Sequence, residues 1–289
     1  MKSWLTPVIG IVISLLVATG MAWAGSAGGI TVAGWPLFAL CGALAFAVQW
    51  ILFVPAFLLQ TERFYDITGS FTYIAVAVLG IVFAPEQDLP RLLLAGLVLV
   101  WATRLGTFLF IRIQADREDV RFRHIKPHFL RFLLTWTLQG LWVFITFAAG
   151  LAAITSKGPA AVDGFTVLGV GLWLTGFVIE VVADHQKRVF RRNPANKDRF
   201  IQRGLWRYSR HPNYFGEIML WVGIAVIALP MLSGWQHLTL VSPLFVFLLL
   251  TRISGVNLLE AQGRKRWGDD PDYQDYCKRT PVLVPRKIS

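Results

Sequence analysis

Apolar residues run along this chain in long blocks, with neither the alternation of a half-buried strand nor the single stripe of a soluble helix. A membrane helix needs about 20 mainly apolar residues. Eight stretches approach or meet that length: Trp4–Ala24, Trp35–Leu59, Ser70–Ala84, Arg91–Ile113, Phe132–Thr155, Phe165–Ala183, Ile218–Leu232 and Leu238–Ile253. The third and seventh are short, and the last two also read as one broken hairpin. The long polar pieces are 114–131, 184–213 and a tail from 254, where Pro271, Pro281 and Pro285 punctuate a short helix expected around Asp272–Cys277. No repeat, low-complexity tract or linker interrupts the pattern. The expected fold is all-α: one polytopic integral-membrane helical bundle over residues 1–289, with seven to eight transmembrane helices.

Composition narrows the class. Of 289 residues, 55% are hydrophobic and only 16% charged, against roughly 25% charged in a soluble domain. That excludes a disordered chain and argues against a water-soluble enzyme, as do 12 Trp and 21 Phe. The charge balance is +11, from 28 Lys and Arg against 17 Asp and Glu. Six of these cations fall in 112–131, nine in 187–210 and eight in 252–287. With eight crossings, those stretches and both termini share one side of the membrane. Cytoplasmic loops are enriched in Lys and Arg, so both termini are expected in the cytoplasm and no nucleic-acid partner is needed to explain the charge. Lys2, the first apolar block and Ala22-Trp23-Ala24 imitate a cleavable signal peptide. Residues 1–34 are read instead as a retained peripheral helix, a signal-anchor candidate, and its removal would leave seven helices in the same orientation.

Ionisable groups inside membrane segments are costly and mark function by default. Arg104 lies eight residues before Arg112, roughly 12 Å deeper along a helix, with Trp101 on the same face. Glu180 and Asp184 form an i,i+4 pair that Arg188 continues, Glu217 and Glu260 flank later segments, and Glu62 and Asp66 bracket Tyr65. By the parity of crossings nearly all lie in the inner half of the membrane, where they are expected to line one cavity open to the cytoplasm. The densest local pattern is Gly204-Leu-Trp-Arg207-Tyr208-Ser-Arg210-His211-Pro212-Asn213-Tyr214-Phe215-Gly216-Glu217. Pro212 biases His211 away from helix, so a helix is expected to start near Asn213 with that residue as its cap. Its free N–H groups favour an anion such as phosphate. Arg188, Arg191 and Arg192 precede it, and Arg grips phosphate bidentately; the interleaved aromatic rings suit a ligand with flat rings.

Other motifs are missing. There is no G-x-G-x-x-G after a strand and no P-loop, and no H-E-x-x-H or Cys/His cluster, so no metal is expected. His124 and His128 flank Lys126 and Pro127 in a loop, and Cys41 and Cys277 have no metal spacing. Gly169-Val-Gly171, mid-helix, reads as close helix packing.

The stretch from Asp184 through Glu217, then Arg252 and the tail Tyr273-x-x-Tyr276-x-x-x-Thr280-Pro281-x-x-x-Pro285, resembles the C-terminal domain of steroid 5-alpha-reductases, especially their bacterial relatives. Upstream, the likeness rests on Thr61-Glu62-Arg63-Phe64-Tyr65-Asp66 and on Trp101-Ala-Thr-Arg104 with Arg112, Glu118, Asp119 and Arg121. Membrane methyltransferases that use S-adenosylmethionine, of the isoprenylcysteine carboxyl and phospholipid N-methyl types, share the Arg-His-Pro-x-Tyr core. Asn213 and Gly216-Glu217 are closer to the reductases.

The reductase resemblance implies NADPH, an apolar steroid-like enone entering from the bilayer, and residence among the lipids of the bacterial inner membrane. It implies a catalytic bundle over 60–289, with 184–289 the best-matching part. Its cofactor positions fall on Asp184, Arg188, Arg191, Asn213 and Arg252, with Arg104 towards the diphosphate or nicotinamide; Tyr208, Arg210, His211, Tyr214, Glu217, Asn257 and Glu260 complete the set. A Glu that bonds the substrate carbonyl falls on Glu62, with Asp66 as the alternative. The partner Tyr position holds Trp101, with Tyr65 or Tyr73 as substitutes, and the family's His and Tyr after Arg252 are replaced by Val256 and Glu260. Donors at the carbonyl oxygen stabilise the negative charge that builds there as hydride reaches the β-carbon.

Overall fold

The computed structural model of the protein describes residues 4–116, 118–158 and 160–286. Among them are eight helical spans long and apolar enough to cross a membrane, running Leu5–Ser26, Leu37–Leu58, Tyr65–Val82, Leu89–Gln114, Phe129–Thr146, Gly164–Arg192, Pro212–Met231 and Gly234–Trp267. The protein is an integral membrane protein with an all-helical bundle fold. Large apolar side chains stand outward along these helices, among them Leu16, Ile51, Leu58, Val167 and Leu168. On a soluble surface such patches would drive aggregation; in a bilayer they face lipid.

The chain forms two compact units, the first of Met1–Thr166 with Ile227–Ser242, the second of Val167–Val226 with Pro243–Ser289. In the first, α1 (Leu5–Ser26) leads through a two-residue hairpin, β1 (Thr31–Val32) and β2 (Trp35–Pro36), into α2 (Leu37–Leu58). Ala33 and Gly34 take the positive φ values, 51° and 83°, that so short a turn requires. Then follow α3 (Tyr65–Val82), α4 (Leu89–Asp116), α5 (Phe129–Thr146) and the fully buried α6 (Ala148–Thr155).

The predicted single helix Phe132–Thr155 is thus two, parted at Phe147 by a residue of φ −91° and ψ 0°; no Pro marks the break, and hydropathy is blind to it. The third span starts at Tyr65, five residues before the apolar block; in its polar first turn Asp66 pairs with Arg112 of α4 and Tyr65 Oη donates to the Thr135 carbonyl of α5. Close approach sets the packing: a methyl on Gly42 would meet the Phe144 ring at 2.6 Å, and one on Gly106 would meet Ser70 Cβ at 2.6 Å. Phe53, Phe122, Phe132 and Trp136 form one aromatic core. Arg91, 1% exposed, pairs with Asp88 and donates to the carbonyls of Ser156 (2.9 Å) and Gly158 (2.8 Å), so its buried charge is compensated.

In the second unit α7 (Gly164–Arg192) packs on α8 (Pro212–Ala228) along a glycine seam. A methyl on Gly216 would come within 2.5 Å of the Gly176 carbonyl oxygen, and one on Gly223 within 2.6 Å of that of Gly169. Gly169 therefore packs as expected, whereas a methyl on Gly171 would meet nothing within 4 Å. Charged residues carry α7 nine residues past the predicted end at Ala183. The last span is broken: a 3-10 stretch at Gly234–Val241, α9 (Ser242–Leu248), a π turn at Leu249–Ile253, then α10 (Val256–Trp267) and α11 (Pro271–Arg279). The predicted tail helix is α11.

Candidate functional site

The second unit holds a cavity of about 670 Å³ where the end of α7, the 193–206 loop, α10 and α11 meet. Lys187, Arg191, Arg192, Lys197, Arg199, Arg210 and Arg266 line it with His211, against one carboxylate, Glu260. Aromatic rings of Phe190, Phe200, Trp206, Trp267, Tyr273 and Tyr276 also line it.

Local structure explains how these side chains are held. Trp206 Nε1 donates to the Ala183 carbonyl (3.1 Å) and Leu205 N to Gln186 Oε1 (2.9 Å), which pins the loop to α7. Gly204, at φ +62°, turns the chain there. Tyr276 Oη donates to the Trp206 carbonyl (2.7 Å), Arg210 N to that of Pro281 (2.9 Å) and Ser209 Oγ to that of Leu283 (2.7 Å), so the Pro-rich tail braces the Arg-His-Pro segment.

Glu260 bridges the site: its Oε2 lies 2.8 Å from Arg210 Nη1 and its Oε1 2.9 Å from His211 Nε2. His211 stacks nearly parallel on Tyr214, with ring centroids 5.6 Å apart. Burial holds the His211 imidazole below its ordinary value although the Glu260 hydrogen bond works the other way. Burial, with the Cys277 thiol beside it, pushes Tyr273 up to about 12. Arg210 Nε and His211 Nδ1 are buried without a hydrogen-bond partner. Buried polar atoms of this kind are the exception in folded proteins. A cation-lined, ring-walled cavity with two such atoms fits a ligand bearing phosphoryl oxygens and an aromatic base.

The other expected cofactor residues of the second unit are not among the described residues that line this cavity. Asp184, 8% exposed, accepts from Asn213 Nδ2 at 3.1 Å. This corrects the capping role expected of Asn213: α8 begins at Pro212, a residue suited to the first helical position, and the His211 carbonyl accepts the first helical bond, from Phe215 N. Asn213 instead ties α8 to α7. Arg188 approaches His185 Nδ1 at 3.4 Å, the Arg207 guanidinium lies over the Tyr208 ring, and Glu217 is in the second turn of α8. Arg252 sits in the π turn, where its carbonyl accepts from Asn257 Nδ2 (3.0 Å). Of the sequence-predicted set, Arg191, Arg210, His211 and Glu260 line the cavity. Sequence reasoning did not single out Lys187, Lys197, Arg199 or Arg266, which looked like ordinary cytoplasmic loop charge.

In the first unit three of the expected catalytic residues, Glu62, Tyr65 and Asp66, lie at the junction of α2 and α3 with the 118–128 loop, whereas Trp101 is on α4. Glu62 is 4% exposed; its Oε1 accepts from Asp119 N (3.0 Å) and its Oε2 from Lys126 Nζ (2.9 Å). Lys126 also approaches Glu118 (3.4 Å), whose other oxygen pairs with Arg123 at 2.9 Å. The hydrogen bond to Glu62, together with both acidic neighbours, raises the Lys126 ammonium above its ordinary value. Asp66 pairs with Arg112 at 3.4 Å, and Tyr65 Oη donates to the Thr135 carbonyl (3.1 Å). Trp101 packs edge-on against Tyr73, with centroids 5.1 Å apart, and the Arg104 guanidinium lies over Phe108. Glu62, Tyr65 and Asp66 therefore share one cluster, and Trp101 and Tyr73 form a separate pair. Lys126 was missed as a partner because its 64-residue separation from Glu62 carries no sequence pattern.

The fold defines a polytopic all-helical membrane protein. The chain belongs to the family described as "Protein of unknown function (DUF1295)", which matches residues 52–280. It is 32% identical over 118 residues to "3-oxo-5-alpha-steroid 4-dehydrogenase 1" of Rattus norvegicus, covering 40% of each chain. With the Homo sapiens protein of that name it shares 35% identity over 119 residues, 41% of this chain and 40% of the relative. It is also 30% identical over 98 residues, 34% of each chain, to "Probable O-methyltransferase ustE" of Ustilaginoidea virens. The aligned part spans about two fifths of the length of the steroid relatives. No solved structure matches.

Proposed function

We propose that the protein is an NADPH-dependent reductase of the C=C bond of an apolar enone, of the 3-oxo-Δ4-steroid kind, in the bacterial inner membrane with both termini cytoplasmic. The observation that carries this reading is the cation-lined cavity with its unpartnered Arg210 Nε and His211 Nδ1 atoms; the names of the steroid relatives supply the reaction class.

In this reading Arg191 and Arg210 hold phosphoryl oxygens, the aromatic wall receives the base, and Asn213 with Asp184 orients the inner end of the cofactor. Glu260 keeps Arg210 and His211 in place. The bound nicotinamide supplies the hydride. Glu62 takes the role the family resemblance implies, offsetting the charge that develops on the carbonyl oxygen. An apolar substrate reaches the site laterally from lipid. Arg188, Arg252 and Arg104 extend the cofactor set as the family resemblance implies.

The ustE relative favours a second reading, methyl transfer from S-adenosylmethionine. Binding separates the two. Arg191→Ala should weaken NADPH by at least about tenfold, the value of one charge-assisted hydrogen bond, and should flatten the salt dependence of affinity, measured by calorimetry in detergent. Unchanged NADPH affinity would remove the phosphate assignment, and transfer of a labelled methyl group from S-adenosylmethionine to an acceptor would establish the alternative.

A further inference from the structure

Glu62 poses a chemical conflict that its surroundings resolve. Offsetting charge on a carbonyl oxygen asks for a proton donor, yet both oxygens of Glu62 already accept, one from the Asp119 amide and one from the Lys126 ammonium. A carboxyl group bound in this way is the ionised, acceptor-only form. The proton nearest to it is on Lys126.

The loop that brings Lys126 in is held firmly. Phe122 is buried in the aromatic core of the first unit, against Tyr65 at 4.9 Å between centroids. Its carbonyl accepts the backbone N–H of both Ile125 (2.9 Å) and Lys126 (3.0 Å). The Lys126 side chain is 19% exposed, the Glu62 side chain 3%, so the ammonium touches water on one side and a buried carboxylate on the other. Glu118 holds the ammonium from the side at 3.4 Å. A group that receives protons from solvent and delivers them inward needs this placement.

We propose that Lys126 is a positioning residue that stores the proton Glu62 delivers to the substrate oxygen, an assignment that rests on the reductase reading above. Hydride from the reduced nicotinamide forms the C–H bond at the β-carbon, and the C=C electron pair moves through the conjugated system to the carbonyl oxygen. Glu62, ionised and without a proton of its own, takes one from the Lys126 ammonium and passes it to that oxygen. The neutral Lys126 amine regains its proton from water, and the enol rearranges to the saturated ketone. One hydride and one proton enter for each double bond reduced. The acidity of Lys126 suits the task, because an ammonium held above its ordinary value by Glu62 is close in basicity to an enolate oxygen.

Two variants test this. Lys126→Arg keeps the ion pair with Glu62 but holds its proton too tightly to release it. Its kcat with NADPH and an enone steroid should fall at least about tenfold, the low side of a proton-transfer contribution, with KM for NADPH and thermal unfolding unchanged. Lys126→Ala should lose more, and methylamine added to the assay should restore part of its kcat while guanidinium does not. Wild-type kcat in Lys126→Arg, alongside normal turnover by the wild type, would overturn the relay and leave the reductase reading standing. A folded Lys126→Ala that methylamine does not rescue would also overturn it. A wild type that binds NADPH but never oxidises it with an enone overturns the reductase reading and the relay together.

Discussion

At the scale of the residue, partners decide what a side chain does, and partners are what a sequence conceals. Glu260, by residue type alone, is out of place on a cation-lined wall. The structure gives it Arg210 and His211, each within 3 Å, so it becomes the fixed point that orients two donors. Glu62 was legible as a buried carboxylate near the membrane boundary, but its bonds to Asp119 and Lys126 were not, since loops fold back at no fixed interval. Asn213 was misread as a helix cap, because Pro212 supplies the helix start and frees Asn213 to bond Asp184.

His211 yields a prediction about pH. Burial holds its folded form below the ordinary 6.5, so the unfolded chain takes up this proton more readily than the folded one. The stability contributed by neutral His211 is complete above pH 6.5 and is lost as pH falls through that value, by at most about 1.4 kcal/mol per pH unit. Thermal unfolding in detergent from pH 7.5 to 5.5 should show a decline that His211→Gln reduces. The same decline in both proteins would assign it to other groups.

Among the elements, the helical spans were legible and their joints were not. Hydropathy located all eight, because length and apolarity are what a bilayer selects. It could not see the break at Phe147, whose side chain is as apolar as its neighbours, or the π turn at Leu249–Ile253, which is a matter of backbone geometry. Nor could it end α7, which runs on from lipid into the charged region of the cavity.

The α7–α8 seam belongs to this scale. Gly169 and Gly176 face Gly223 and Gly216, and backbones this close leave no room for a Cβ. Gly216→Val should cost about 3 kcal/mol of stability through overpacking, read as a lower unfolding temperature and as lost NADPH binding, since the seam sets the Asp184–Asn213 register. Gly171→Ala, where a methyl meets nothing within 4 Å, is the control and should match the wild type. If both variants unfold alike, the seam does not set the packing of these two helices.

For the molecule as a whole, the sequence legibly showed an all-helical membrane protein whose cations crowd into three polar stretches, and the family match over residues 52–280 agrees with the resemblance read from its motifs. The cavity itself was not legible. Its wall comes from the end of α7, the 193–206 loop, α10 and α11, and its lysines and arginines are the same ones that a positive-inside loop would carry anyway. What the sequence could not show is their gathering around one hollow, where Glu260 is the one carboxylate among the described lining residues.

The central claim is that this membrane protein passes hydride from a reduced dinucleotide to an apolar enone. Its most direct test supplies the purified full-length protein in lipid nanodiscs with NADPH carrying deuterium at the transferable position of the nicotinamide, together with a 3-oxo-Δ4-steroid. The account predicts a saturated ketone that carries one deuterium by mass spectrometry, formed in step with NADPH oxidation. A steroid recovered unchanged while NADPH remains bound and reduced would contradict it.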